Sequence, residues 1–321
     1  MDNADKLVTI FGGSGFVGTQ IVQVLARKGY RIRVAVRRPD LAGHVKPLGG
    51  VGQVVPIQAN VRNAESVQRA AAGADIVINL VGIGFERGPQ RFRAVHVMGA
   101  KNVAEAAAAA GAKVMVHMSA LGADEESHSA YARTKHLGEA AVLAAYPEAV
   151  IIRPSIMFGP GDGFFNLMGA LTRWFPVLPL IGEKTRFQPI YVGDTADAFG
   201  VAAEGGVKTG RVYELGGPET LTYRELMQRV LRETGRHNPL VPVPAAVGKL
   251  LAAPFALLPF PPLLTGDQVD LLQADNVFSE EASKEKRTLS AFGIEPTPME
   301  AILPTYLWRF RKHGQFDRQA A

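Results

Sequence analysis

The 321-residue sequence predicts an α/β fold built on a doubly wound parallel sheet, and three observations predict it. Short β-rich runs alternate with helical patterns through the first half, as successive βαβ units do. The first of these runs, Leu7–Phe11, enters a glycine-rich turn and then a helix-period pattern. The connections are short and the runs continuously apolar, as in strands covered on both faces.

The elements follow in order. Leu7–Phe11 is the first strand, and Gly12–Gly15 turn the chain. Val17, Ile21, Val24 and Leu25 then recur at helical spacing until Gly29 ends the helix. Arg31–Val36, Val54–Ala59 and Asp75–Val81 read as strands two to four. An alanine-rich helix from about Arg91 to Ala110 is ended by Gly111, and Lys113–Ser119 is strand five. Ser129–Ala145 is a helix and Ala149–Arg153 the sixth strand. Prolines and glycines between Phe158 and Gly182 suggest an excursion over the sheet, before a return strand at Arg186–Val192, a helix from Asp194 and a final strand at Gly210–Leu215. Helices dominate from Thr220 onward. The expected architecture is a Rossmann sheet with a smaller, mainly helical C-terminal lobe. Residues 1–160, completed by about 186–216, form the nucleotide domain; 161–185 and 217–321 form the second lobe.

Composition narrows the chemistry. With no cysteine, disulfides, thiolate metal sites and thiol nucleophiles are excluded. The seven histidines show no metal-ligand spacing, so no metal is expected. A formal charge of +5 reads as a basic solvated surface, with anionic lipid or an acidic protein face as the alternative partner and no nucleic acid. The start, Met1–Asp5, carries no signal or transit peptide pattern. The charge-free apolar stretch Leu250–Gly266 is broken by Pro254, Pro259, Pro261 and Pro262, too short and too kinked to span a bilayer; its Leu250–Leu264 part is hard to bury in so small a lobe. It is a candidate contact for protein or lipid, or an arm folded into its own C-terminal lobe, beside a tail in which Trp308, Arg309, Phe310, Arg311 and Lys312 alternate rings with cations.

Gly12, Gly13, Ser14, Gly15, Phe16, Val17 and Gly18 lie between a strand and a helix. Glycines here give a tight turn, bare backbone for a pyrophosphate and close helix–strand packing, with the phosphates at the helix N-terminus. Strand two ends in Arg37 and Arg38, with no carboxylate before Asp40. Two guanidiniums suit a ribose 2′-phosphate, so the expected cofactor is NADPH. Asn60 stands where an adenine contact is expected, and an inconsequential loop residue is the equal alternative.

Tyr131 and Lys135 are four apart and share a helix face. In a hydride-transfer enzyme such a lysine lowers the tyrosine pKa and holds the nicotinamide ribose, while the tyrosine acts as general acid. His96 reads as a packed helix histidine.

These motifs, with Gly138-Glu139 and Arg153-Pro154-Ser155, resemble the extended and atypical short-chain dehydrogenase/reductase superfamily. Tyr131–Lys135, Ile151–Gly159, Gln188–Asp194, Phe292–Glu300 and Leu250–Gln268 resemble one branch more closely, the NADPH-binding accessory subunits of respiratory complex I and their bacterial relatives. The resemblance covers nearly the whole chain. It implies a structural NADPH within the peripheral arm near the membrane, partners among peripheral-arm and membrane-proximal subunits, and, without a transit peptide, the cytoplasmic face of a bacterial inner membrane. Val81, Gly82, Ser119, Pro154 and Ser155 join the glycine loop, Arg37, Arg38, Asn60, Tyr131 and Lys135 as expected cofactor contacts.

Strand five ends His117-Met118-Ser119-Ala120-Leu121, where active members of the superfamily carry hydroxyl residues. Leu121 takes the place of the hydroxyl that meets the substrate carbonyl, and losing such a donor costs about 3 kcal/mol in the transition state. The expected function is therefore a non-catalytic accessory subunit. An active NADPH-dependent reductase or epimerase of a small carbonyl compound or nucleotide sugar, using Tyr131 and Lys135, is the alternative; a redox-sensing regulator is a third.

Overall fold

The computed structural model describes residues 3–252, 254 and 262–314. The chain divides into two units, each with its own core: Met1–Pro154 with Gly193–Leu215 and Ser279–Glu295, and Ser155–Val192 with Gly216–Phe278 and Pro296–Ala321.

The first unit is a seven-stranded, wholly parallel sheet with flanking helices. Its elements are β1 (Leu7–Phe11), α1 (Phe16–Arg27), β2 (Arg31–Val36), β3 (Val54–Gln58), α2 (Ala64–Ala71) and β4 (Ile76–Asn79). Then come a π-helical segment (Arg93–Gly99), α3 (Ala100–Ala109), β5 (Val114–Met118), α4 (Ala130–Ala145) and β6 (Val150–Pro154). After the chain returns, α5 (Val192–Ala203), β7 (Val212–Leu215) and α6 (Glu280–Lys284) complete it. The strand order is β3-β2-β1-β4-β5-β6-β7, so the winding direction reverses between β1 and β4. Ligands of doubly wound sheets sit at such a reversal, beyond the carboxyl ends of the strands.

The apolar runs explain the sheet. Val8, Ile10 and Phe11 of β1 and Ile76, Val77 and Ile78 of β4 are buried, because helices cover both faces. The one polar side chain inside β1, Thr9, satisfies its hydroxyl on Ala70 O (3.1 Å). In α1 the buried side chains Val17, Ile21, Val22 and Leu25 form the stripe that packs on the sheet.

Four details depart from the sequence reading. The alanine-rich helix opens as π-helix over Arg93–Gly99 before becoming α-helical at Ala100. Arg186–Val192 is two short strands, Arg186–Phe187 and Ile190–Tyr191, and neither joins the main sheet. Pro189 lies between them and has no N–H to give a ladder. Within 158–182 the excursion contains a helix, Phe164–Trp174. Residues 279–295, expected in the second lobe, pack on β7: Glu214 N–H donates to Arg287 O (2.9 Å), Arg287 Nη1 donates to Val212 O (2.8 Å), and Phe292 stacks edge-on against Tyr213.

In the second unit, helices Phe164–Trp174, Tyr223–Thr234 and Met299–Leu307 enclose a core that includes Phe158, Phe165, Leu226, Val230 and Leu303. Among the described residues, three two-stranded pairs complete it. Thr222 and Glu225 form a reciprocal cap on the second of these helices, which stops at left-handed Gly235. The ring–cation tail is partly interior: Phe310 is buried against Gly169, and Arg311 Nε donates to Glu233 O (2.8 Å). Of the Leu250–Leu264 stretch, residues 253 and 255–261 lie outside the described residues; Leu250 and Leu263 are exposed. No helix among the described residues is long and apolar enough to cross a membrane.

Candidate functional site

The glycine loop leaves β1 at the reversal point. Gly12 holds φ +84°, a left-handed conformation that favours glycine, and its N–H donates to Ala35 O at the end of β2 (3.1 Å). Gly15 N–H donates to Gly12 O (3.2 Å) and closes the turn. A β-carbon on Gly18 would lie 2.5 Å from Gly12 O and 2.6 Å from Gly13 Cα, so α1 seats against the loop only with glycine there. Gly15 caps α1 with no side-chain hydrogen bond and no acid occupies the first turn. By contrast, Asn63 caps α2 and Ser129 caps α4 with their side chains. The first N–H groups of α1 thus have no side-chain acceptor, and the helix dipole favours an anion in that place.

One crevice edge links this loop to the tyrosine–lysine pair. A β-carbon on Gly12 would touch Val81 Cγ2 at 3.3 Å, and one on Gly82 would lie 3.7 Å from His96 Nε2 and 3.9 Å from Lys135 Nζ. Asn79 sets the strand-end turn: its Oδ1 accepts from Val81 N–H (3.1 Å) while its Nδ2 donates to His117 Nδ1 on β5 (3.1 Å). Lys135 is buried and donates from Nζ to Met118 O (2.8 Å). Burial holds its pKa down at about 8, against a smaller opposing pull from Glu139.

Tyr131, half-buried, meets His96 edge-on at 5.3 Å between ring centroids and Phe92 at 5.9 Å. His96 belongs to the site rather than to a remote core. Its Nε2 accepts from Ile83 N–H (3.1 Å), which leaves the proton on Nδ1 to be donated to Thr134 Oγ1 (3.1 Å). Burial first, then the Lys135 charge, lowers its pKa to about 3, so the ring is neutral at physiological pH. His117, fully enclosed, is pushed well below its ordinary value for the same reasons. The π-helical segment makes this packing: a β-carbon on Gly138 of α4 would lie 2.2 Å from His96 O, so glycine there lets the two helices close on Tyr131 and Lys135.

Ser119 directly follows β5, its N–H donating to Ile152 O (2.7 Å). Its hydroxyl is buried with no protein hydrogen-bond partner. An orphaned buried hydroxyl, a cradle that a β-carbon would fill and uncapped helix N–H groups together fit a bound dinucleotide. Leu121 is buried and apolar; its N–H donates to Pro154 O (3.0 Å).

The glycine loop, Val81, Gly82, Ser119, Tyr131, Lys135 and Pro154 all lie in the first unit. The two arginines after β2 part company. Arg38 turns to Asp40 in a bidentate pair (3.0 and 2.7 Å), whereas Arg37 faces the Gln90 amide together with Arg62. Asn60 accepts from Arg62 N–H (3.2 Å) within its own turn. Ser155 belongs to the second unit, where its hydroxyl donates to Asn276 Oδ1 (2.7 Å). Arg62, Gln90 and the His44 ring, whose Nε2 lies 3.1 Å from Ser14 O in the loop, stand beside these groups without any motif in the sequence to mark them.

Comparison with known proteins gives the following. The model of the NAD dependent epimerase/dehydratase family matches residues 8–216. NADH dehydrogenase (ubiquinone) 1 alpha subcomplex subunit 9, mitochondrial, of Arabidopsis thaliana is 35% identical over 323 residues, covering 96% of this chain and 79% of that protein. A ceramide reductase of Caulobacter vibrioides is 38% identical over 198 residues, covering 60% of each chain. The crystal structure of gox2253 superimposes with a TM-score of 0.73 at 21% identity, covering 97% of this chain and 99% of that one, which supports the fold.

Proposed function

The chain belongs to the NAD dependent epimerase/dehydratase family and, within it, to the group of the alpha subcomplex subunit 9 proteins; from that premise we propose that it is an accessory subunit of respiratory complex I that keeps NADPH as a bound structural ligand. The observation that carries this reading is the 35% identity over 96% of the chain, which continues beyond residue 216, where the family model ends. In this reading the subunit supports the peripheral arm near the membrane, docked peripherally at the cytoplasmic face of a bacterial inner membrane. Exposed Leu250 and Leu263 are its contact candidates.

The glycine loop and the first turn of α1 would hold the pyrophosphate, Arg37 would meet the 2′-phosphate, and Lys135 and Tyr131 would hold the nicotinamide ribose. When bound, the dinucleotide supplies a hydride. The chain's own groups orient it without completing a carbonyl site: Leu121 has no donor for a developing alkoxide. Lys135 directs its ammonium to Met118 O, and His96 is fixed as a neutral ring.

The intact Tyr131/Lys135 pair and the 38% identity to a ceramide reductase favour a second reading, an NADPH-dependent reductase. One experiment separates the two. Purified protein is denatured, the released nucleotide identified, and NADPH oxidation followed with ketones, nucleotide sugars and quinones. The accessory reading predicts about one NADP(H) per chain and no oxidation above background. Turnover that disappears in Tyr131→Phe would establish the reductase instead.

A further inference from the structure

Two guanidiniums share one amide oxygen beside the glycine loop. With its oxygen turned toward them, the Gln90 side chain accepts from Arg37 Nη1 at 3.1 Å and from Arg62 Nη2 at 3.2 Å. Arg62 is half-buried and anchored through Nη1 to Pro89 O (3.3 Å); Gln90 is fixed by two 3.0 Å main-chain bonds with Arg87. The backbone brings these groups to the carboxyl end of the sheet. Gly12 N–H donates to Ala35 O, two residues before Arg37, and Ala59 N–H donates to Val36 O, three residues before Arg62.

Holding two cations against one neutral oxygen is unfavourable unless an anion joins them. The neighbouring carboxylates are committed elsewhere: Asp40 to Arg38, and Glu86 to Arg91 and the Phe92 N–H. Among the ion pairs of the described residues, neither Arg37 nor Arg62 has a carboxylate partner. A phosphate monoester offers three acceptor oxygens where the amide offers one, and guanidinium forks match it bidentately.

We propose that Arg62 and Gln90, with Arg37, determine the specificity of the site for a 2′-phosphorylated dinucleotide, Gln90 holding the two arginines together until the phosphate takes its place. The proposal rests on the dinucleotide reading above. It assigns the second guanidinium to Arg62 rather than Arg38, whose fork is already filled by Asp40.

The test is calorimetric titration of the full chain, stripped of nucleotide, with NADP+, NAD+, 2′,5′-ADP, 5′-AMP and inorganic phosphate. Wild type is expected to prefer NADP+ over NAD+ and 2′,5′-ADP over 5′-AMP. Arg62→Met should weaken NADP+ by about ten- to a hundredfold, the size of a lost charge-assisted contact, and NAD+ by less than about twofold. Gln90→Glu installs an internal anion and should likewise weaken NADP+ alone. Retained NAD+ binding shows that each variant is folded. Equal losses for both dinucleotides, or no loss of NADP+ in Arg62→Met, would overturn the proposal while leaving dinucleotide binding in place. Inorganic phosphate binding as tightly as 2′,5′-ADP would mark a free-phosphate site and also overturn it. Failure of wild type to bind either dinucleotide would remove the underlying reading as well.

Discussion

Arg153→Met is expected to destabilise the protein by about 3–5 kcal/mol, a large part of the 5–15 kcal/mol typical of a folded chain. Arg153 on β6 donates to both oxygens of Glu139 on α4 (2.8 and 2.6 Å) and to Glu214 on β7 (3.3 Å). All three side chains are largely shielded from water, with 18%, 5% and 11% exposure. Methionine fills much of the volume but leaves two like carboxylates shielded from water without the guanidinium that joined them. Lysine offers a single ammonium where the arginine fork binds bidentately, so it should rescue poorly. The triple variant Arg153→Met, Glu139→Gln, Glu214→Gln removes the stranded charges and should recover most of the loss. Urea denaturation with far-ultraviolet circular dichroism measures all of these. A loss under about 1 kcal/mol in Arg153→Met would show that the ion-pair cluster does not hold β6, α4 and β7 together. The effect reaches the site, because Glu139 lies one turn beyond Lys135 on the helix that carries Tyr131.

Lys135→Met is expected to act in the opposite direction on stability while weakening ligand binding. The folded-state pKa of about 8 lies below the ordinary 10.5, so above pH 10.5 the burial carries no charge penalty. Between pH 10.5 and 8 the unfolded chain binds the proton first, and stability falls as pH falls. Below pH 8 the full penalty applies, about 3 kcal/mol. Methionine removes it but forfeits the bond to Met118 O, leaving a net gain of about 1–2 kcal/mol at pH 7. The gain should shrink as pH rises from 8 to 10.5. Over the same comparison, dinucleotide affinity should drop tenfold or more. A variant less stable than wild type at pH 7, or a difference that ignores pH, would show that the lysine is not held against its own desolvation.

Much of this was legible in the residues themselves. The glycine loop, the strand runs and the Tyr131/Lys135 spacing are local patterns, and the chain folds them as a turn between β1 and α1, as strands and as one face of α4. What stayed hidden depends on contacts between distant segments. Nothing at His96 announces a π-helical turn or a glycine forty-two residues later that lets α4 close on it. Arg37 and Arg38 are equivalent in sequence, and only the path of the chain turns one to Asp40 and the other to Gln90. Arg62 and Gln90 belong to connections whose composition marks them as ordinary loops. Arg153 stood out as part of a motif, but its partners on α4 and β7 become visible only when the sheet is assembled.

Co-purification decides whether the chain is an accessory subunit. The tagged protein is drawn from native membranes in gentle detergent, and the proteins that accompany it are identified and quantified by mass spectrometry. Recovery with complex I subunits in fixed proportion, with NADP(H) retained, is the expected result. Recovery alone, from the soluble fraction, would contradict it.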